Sequence, residues 1–255
     1  MPRPYDVTNR YKRKVEITWS SDLAYAVGLI VSDGNLSKDG KKVMFKSKDL
    51  DLVEKFKAAL KISNKIGKSV RGGETEKKYF YVSFGDVVFC RFLNGIGIYP
   101  AKSKTIKEVG VPEDCFSHFV RGVFDGDGTF YTFWDKRWRS SFCYQASFAS
   151  ASLDFIEWFR DTISALYGLK GIIVRGDGVY NIRYFKGDTK KLFEVMYRDS
   201  ENILYLERKY HKMQEAFRFE KEGVLLRGRG SSVVERNPEE IGVGCSIHPR
   251  GTFGK

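Results

Sequence analysis

Two short segments of this 255-residue chain are alike, and their likeness restricts the possible folds more than any other feature of the sequence. The first is AVGLIVSDG at residues 26–34, and the second is VRGVFDGDG at residues 120–128. Each has apolar residues at helical rather than alternating spacing and ends in Asp-Gly, which predicts an apolar helix that stops at the glycine. Two such helices in one chain predict an internal repeat.

The elements that surround the two segments occur in the same order. In residues 15–111 a helix precedes a hairpin, an amphipathic helix, a second hairpin and a short helix, and residues 112–222 repeat this pattern. Each half is therefore predicted as αββαββα, an α+β unit with one antiparallel sheet, and we expect a pseudo-two-fold axis between the halves. Residues 223–255 are rich in glycine and charge without periodicity, which predicts a poorly ordered tail.

Each of the two predicted helices has small residues at positions i and i+4 of one face. They are Gly28 and Ser32 in the first helix, and Gly122 and Gly126 in the second. Because glycine has no Cβ, such faces can pack closely, which would bring Asp33 and Asp127 side by side at the helix ends. Adjacent carboxylates repel unless a proton or a divalent cation lies between them, and Mg²⁺ is a hard cation that prefers oxygen ligands. A capped core helix would explain one copy without any chemistry, but two matched copies favour a site.

The charge of the chain favours a polyanionic partner. It has 44 basic and 32 acidic residues, a net charge of +12, which suits nucleic acid or an anionic membrane surface. No run of 18 apolar residues or secretory signal occurs, so we expect no membrane span. The four cysteines lack metal-site spacing and are predicted to be reduced thiols. We therefore expect an intracellular protein whose partner is a polyanion.

The paired motifs resemble those of LAGLIDADG homing endonucleases, in the form that has both copies in one chain. The resemblance covers about residues 20–220, including the order of elements. It implies that Asp33 and Asp127 bind Mg²⁺, for which Mn²⁺ can substitute, and position the attacking water and the scissile phosphates. It also implies that the sheets form a saddle on double-stranded DNA, and that the protein cleaves both strands at a long target site. The protein would be an intron-encoded monomer without an obligate protein partner, acting at DNA in a prokaryotic cytoplasm or an organelle. Val31 departs from the pattern, because the second copy and the family name have an aspartate there (Asp125).

Two lysines resemble the basic active-site residue of this family, namely Lys102 in YPAKSKT and Lys209 in LERKYHK. The resemblance implies that they stabilise charge developing on the phosphate or polarise water. In so basic a chain, a solvated surface charge is the alternative for each. Lys46 lies where the family often has a polar residue near the metal, but its counterpart in the second half is Ala149.

The alternation of strand residues predicts which side chains reach DNA. In KKVMFKSK one face has Lys42, Met44, Lys46 and Lys48, and the other has Val43 and Phe45. Arginine can bind guanine and glutamine can bind adenine in the major groove, while lysine mostly neutralises phosphate. The expected DNA contacts are Lys42, Lys46, Lys48, Arg71, Arg137, Arg139, Gln145 and Arg183. A solvated sheet face is the alternative for each of them.

Two other functions fit many of the same residues. The fold that the resemblance implies also occurs in maturases, which bind the RNA of their own intron and would use basic sheet residues equally well. A non-catalytic DNA-binding regulator on this fold would not need both aspartates, and it usually has an added helix-turn-helix segment, which the sequence does not show. The retained pair of acids favours DNA cleavage.

Overall fold

The computed structural model describes residues 13–70, 78–138, 141–198 and 200–228. The first half contains α1 (Ser21–Asp33), β1 (Gly34–Leu36), β2 (Lys42–Ser47), α2 (Leu50–Ala59), β3 (Gly67–Ser69), β4 (Tyr79–Gly85) and α3 (Val87–Gly95). The second contains α4 (Phe116–Asp127), β5 (Thr129–Trp134), β6 (Phe142–Ser150), α5 (Leu153–Tyr167), β7 (Ile172–Arg175), β8 (Tyr180–Phe185) and α6 (Lys186–Tyr197), and α7 (Glu207–Gly228) follows. The predicted α+β class and the αββαββα order of both halves are confirmed. Within the described ranges, every helix is too short or too polar to cross a membrane.

Each half has one four-stranded antiparallel sheet with the same connectivity. The strand orders are β1-β2-β4-β3 and β5-β6-β8-β7. One face of each sheet is covered by helices: Phe45 of β2 stacks on Phe56 of α2 at 4.5 Å, and Phe148 of β6 meets Phe159 of α5 edge-on at 5.1 Å. Val43 and Phe45 are buried while the lysines of β2 are accessible, as the alternation of this strand predicts.

The helices α1 and α4 pack against each other in the core. Residues 23–31 of α1 are all buried, which explains why this helix is apolar on every side rather than amphipathic. Ser20 begins α1 as its N-cap, because its hydroxyl accepts a hydrogen bond from the Leu23 amide at 3.1 Å. Both helices end at an aspartate that is followed by a glycine in extended conformation.

Helix α7 was not predicted from the sequence. Its apolar residues are few and are separated by charged ones, so no continuous stripe marks it as a helix. It extends through residue 228, past the predicted start of the tail at residue 223, and residues 229–255 lie outside the described residues.

The C-terminal half of α7 packs on the second sheet. The ring of Phe217 lies 5.1 Å from that of Tyr144, and Phe219 lies 4.8 Å from Phe142. Glu220 accepts a hydrogen bond from the Tyr144 hydroxyl at 2.8 Å. These long-range contacts stabilise a helix whose own sequence predicts it weakly.

The N-terminal end of α7 reaches the first half of the molecule. Glu207 pairs with Lys55 of α2 at 2.9 Å, and Arg208 pairs with Asp49 at 2.8 Å. Lys209 follows directly, so contacts with both halves determine where this lysine lies.

Candidate functional site

The helices α1 and α4 run side by side and make their closest contact at glycine. A Cβ added to Gly28 would lie 2.9 Å from the Cα of Gly122, and one added to Gly122 would overlap the Tyr25 carbonyl. One added to Gly126 would overlap the Ser32 side chain. The pairs Gly28–Gly122 and Ser32–Gly126 advance in the same direction, so the helices are parallel. The structure thus brings together all four small residues that the sequence predicted for this interface.

The parallel packing places the ends of both helices at one junction, where Asp33 and Asp127 are the final residues. Both side chains reach solvent, yet the surrounding protein removes part of their hydration. The pKa of Asp33 is raised to about 6, because this desolvation and the Asp127 carboxylate together outweigh the opposing effect of two nearby lysines. Desolvation likewise raises the pKa of Asp127. Each carboxylate therefore favours a bound proton or cation beside it.

Lys102 and Lys209 occupy matching positions beside the two carboxylates. The Lys102 ammonium donates a hydrogen bond to the carbonyl of Gly34 at 2.6 Å, and that of Lys209 donates to the carbonyl of Gly128 at 2.6 Å. These glycines directly follow the two aspartates. Burial lowers the pKa of each lysine to about 8, although the neighbouring carboxylates oppose the shift. Lys102 is only 5% exposed, so it is not a solvated surface charge.

The two lysines differ in how they are held. Among the described residues, the Lys102 ammonium makes a single hydrogen bond. Lys102 itself lies in a short 3₁₀ turn that follows α3. Lys209 also donates to the carbonyls of Phe124 and Asp125, at 2.6 and 2.9 Å, and thereby caps the end of α4. An ammonium has three protons, so Lys209 has fewer left for a substrate than Lys102.

Asp125 and Val31 occupy equivalent positions in α4 and α1, but they have different structural roles. Its carboxylate is 1% exposed and accepts hydrogen bonds from the Tyr25 hydroxyl and the Leu206 amide, both at 2.8 Å. It therefore holds α4 to α1 and to the segment that leads to Lys209. Val31, at the equivalent position of α1, packs among apolar side chains in the core instead.

Sequence reasoning missed the partners of Asp125. A buried polar group needs a partner, so the polar residues inside two apolar helices were a usable signal. Tyr25 lies within α1, and Arg121 within α4 has its guanidinium 5.3 Å from the Tyr25 ring. Arg121 is 1% exposed and donates to the carbonyl of Met196 at 2.9 Å, which links α4 to α6.

The chemistry of the junction fits a divalent cation that prefers oxygen. The carbonyl ends of two helices carry partial negative charge, and here they converge with two carboxylates. No group of three or more histidine, cysteine or acidic side chains that could hold a metal ion occurs in the described part of the chain. Mg²⁺ commonly binds through one or two carboxylates and completes its coordination with water and substrate phosphate. Asp33 and Asp127 would be the residues that hold it.

The residues predicted to contact DNA fall into three groups. Lys42, Lys46, Lys48 and Arg183 lie on or beside the sheet faces that the helices leave uncovered, and Arg137 is exposed in the β5–β6 connection. Lys46 and Lys48 lie over the ring of Tyr79, at 4.7 and 5.3 Å. Arg71 and Arg139 lie outside the described residues.

Gln145 differs from the other predicted contacts, because its side chain is only 2% exposed. Its partners across the neighbouring strands are Tyr131 and Phe185, two aromatic residues. Gln145 lies on the predicted face of β6 but is buried in the structure, and its contact with DNA remains a prediction.

Three solved structures have a similar fold. The LAGLIDADG meganuclease I-AabMI, bound to uncleaved DNA, has a TM-score of 0.55 and 13% identity, over 80% of this chain and 91% of its own. The meganuclease I-SmaMI, bound to uncleaveable DNA, has a TM-score of 0.52 and 13% identity, over 82% and 92%. Full-length DUF199/WhiA from Thermatoga maritima has a TM-score of 0.52 and 13% identity over 89% of this chain, which spans 66% of that protein. No protein-family model matches the sequence, and no curated protein matches it significantly.

Proposed function

We propose that this chain, which has the LAGLIDADG fold, is a site-specific endonuclease that hydrolyses both strands of DNA with a divalent metal ion. One observation carries the proposal: Asp33 and Asp127 end two parallel helices at a single junction, each with a lysine held against the following glycine. The fold alone does not decide the activity, because WhiA shares it with the meganucleases. We further propose that the protein acts as a monomer on intracellular DNA, because one chain carries both carboxylates.

The proposed chemistry divides between the two halves, with one aspartate and one lysine for each strand. Mg²⁺, or Mn²⁺ in its place, would supply positive charge to the phosphate oxygens when bound. Asp33 and Asp127 would hold it and orient the water that attacks the scissile phosphate. Lys102 and Lys209 have a pKa of about 8, so a fraction of each is neutral at physiological pH and could accept a proton from that water, while the ammonium form would stabilise charge developing on the phosphate.

Binding to DNA is supported by the charge of the chain and by the sheet faces. The net charge is +12, and Lys42, Lys46, Lys48 and Arg183 lie on or beside uncovered sheet faces. Lysine and arginine on such a face can neutralise phosphates along a duplex. Nothing in the described residues favours intron RNA over DNA as the partner.

Substitution of Asp33 and Asp127 by asparagine tests the proposal. Duplexes that bind the wild-type protein would first be selected from a randomised library and then incubated with Mg²⁺ or Mn²⁺. We expect the wild type to cut both strands, and Asp33→Asn and Asp127→Asn each to lose double-strand cleavage while they still bind DNA and melt near the wild-type temperature. Asparagine keeps the shape of aspartate but removes the charge that attracts the cation.

Asp154→Asn is the matched control, because this exposed aspartate lies at the start of α5 and pairs with Lys107. It should cleave normally. A folded Asp33→Asn or Asp127→Asn variant with normal cleavage would overturn the proposed site.

A non-catalytic DNA-binding protein is the second candidate, because the cationic residues on the open sheet faces support DNA binding whether or not the junction cleaves. It predicts that the wild type binds selected duplexes tightly but leaves both strands intact with either metal. It also predicts that both asparagine variants behave as the wild type does in every assay.

A further inference from the structure

The two sheets expose different chemistry on the faces that the helices leave uncovered. The first open face, on β2 and β4, comprises Lys42, Met44, Lys46, Tyr79, Tyr81 and Ser83. The second open face, on β5 to β8, holds Tyr131, Phe133, Ile172, Val174, Arg183 and Phe185 among the smaller polar residues Thr129, Ser147 and Asn181. The strand registers define each set, since paired residues project to the same side of a sheet. The first open face is cationic and polar. Among the residues named for the second open face, Arg183 is the one cation.

Two residues of the second open face are strongly exposed. Ile172 is 56% exposed and Phe185 is 46% exposed, although large apolar side chains in such a cluster usually become covered by a ligand or a partner. Arg183 pairs directly with Ile172 in the register; burial raises the pKa of Tyr131, and the charge of Arg183 opposes part of that shift. The face therefore combines apolar groups with a positive charge.

Gln145 is an independent indication of a ligand on the same face. It is 2% exposed between Tyr131 and Phe185, and its amide nitrogen has no hydrogen-bond partner among the described residues. A buried donor without an acceptor destabilises the protein, so an acceptor supplied by a ligand would be favourable.

In the major groove, an A·T base pair supplies a hydrogen-bond partner for Gln145 and an apolar group for Phe185 and Ile172. Adenine offers an acceptor at N7 and a donor at N6, which match the two ends of a glutamine amide, whereas guanine offers two acceptors; thymine adds a methyl group that a G·C pair lacks. Phosphates on either side would meet Arg183. A duplex thus suits the second open face better than a purely apolar partner, which would leave the arginine and the glutamine unpaired.

We infer that the second repeat recognises an A·T-rich half-site through its apolar face, with Phe185 and Ile172 against thymine methyl groups and Gln145 toward adenine. The first repeat binds its half-site mainly through the lysines of the first open face. This inference rests on the proposed DNA-binding function and adds specificity-determining residues and a base composition to it. The two half-sites of the target therefore differ in base composition, although the two repeats of the protein are related by a pseudo-two-fold axis.

Deoxyuridine tests the inference, because it differs from thymidine only by the missing methyl group. Duplexes would be selected from a randomised library with Ca²⁺ in place of Mg²⁺, and remade with deoxyuridine in one half at a time. We expect deoxyuridine in one half to weaken binding about fourfold per contacted methyl group, the factor expected for one buried carbon. Deoxyuridine in the other half should have little effect.

Variants assign the sensitive half to the second sheet. Phe185→Ala and Ile172→Ala should weaken binding to the thymine duplex but lose the response to deoxyuridine, and Gln145→Leu should relax the preference for A·T in a repeated selection. Leu153→Ala is the matched control, because Leu153 is 36% exposed on α5, outside the second open face. It should retain the full response. Melting temperatures would establish that each variant is folded.

The possible failures are distinguishable. Selection of a defined sequence without any effect of deoxyuridine would overturn this inference alone and leave DNA recognition intact. Persistence of the methyl response in Phe185→Ala and Ile172→Ala would do the same. If no sequence is enriched, the proposed function fails as well. If Phe185→Ala instead dissociates a dimer of this chain, the face serves self-association and the inference is wrong.

Discussion

The distance between the two carboxylates depends on single residues, and the most important of these are glycines in the contact between α1 and α4. Gly28 and Gly122 let the backbones of α1 and α4 meet, so a Cβ on either would encounter backbone atoms that cannot rotate away. The charged residues that carry the proposed chemistry depend on this contact, because Asp33 and Asp127 lie only a turn or two beyond the glycines.

Gly122→Ala should therefore destabilise the protein and impair cleavage together. The added methyl group overlaps the Tyr25 carbonyl, so the helices must separate, and overpacking of this kind costs about 1–3 kcal/mol. Gly187→Ala is the matched control, because a Cβ there has no neighbour within 4 Å in α6, and it should be neutral or slightly stabilising. Urea unfolding and strand cleavage would be measured for both. Equal stability of the two variants would contradict the close packing.

At the scale of an element, α7 connects the candidate site to the second sheet. It carries Lys209 in its first turn, and near its other end Glu220 pairs with Lys190 at 2.6 Å and Lys186 at 3.1 Å. Burial alone would raise the pKa of Glu220, but hydrogen bonds from Lys190, Tyr144 and Lys186 outweigh it and lower the pKa. The ionised carboxylate thus helps to anchor the helix.

The stabilising effect of Glu220 on α7 should depend on pH. Because the folded-state pKa of Glu220 is lowered, its stabilising effect is present above the unfolded value of about 4.3 and is lost as the pH falls through the folded value. Glu220→Gln should lower the stability at pH 7 by about 1 kcal/mol, since the lysines are half exposed, and the difference from wild type should shrink in acid. Glu222→Gln, which removes an exposed pair with Arg218, is the control and should change little. A difference independent of pH, measured by thermal melting, would contradict this role.

At the scale of the whole molecule, one chain contains two similar halves that are not equivalent. Asp125 and α7 belong to the second half alone, and the open faces differ in chemistry. The ion pairs of Glu207 and Arg208 with α2 bind the halves together beside the site. Such a molecule needs no second copy to complete the junction.

We therefore expect a monomer both free and on DNA. Sedimentation should report a mass close to 29.3 kDa for the free protein and one chain per selected duplex. The two carboxylates already meet within one chain, so a dimer would bring no missing residue to the junction. Two chains per duplex in the cleavage-competent complex would contradict the single-chain site.

Local patterns in the sequence determined much of this protein. The spacing of apolar residues in α1 and α4, the Asp-Gly at their ends and the alternation in β2 predicted the repeat, the fold class and the faces, because each depends on residues a few positions apart. Only the tertiary structure decided the rest. Helix α7 forms through contacts such as Phe217 with Tyr144, Asp125 is buried because Tyr25 and Leu206 pair with it, and Gln145 is covered by neighbours from other strands. These contacts join residues far apart in the chain, and their free energy is therefore not expressed in any local pattern.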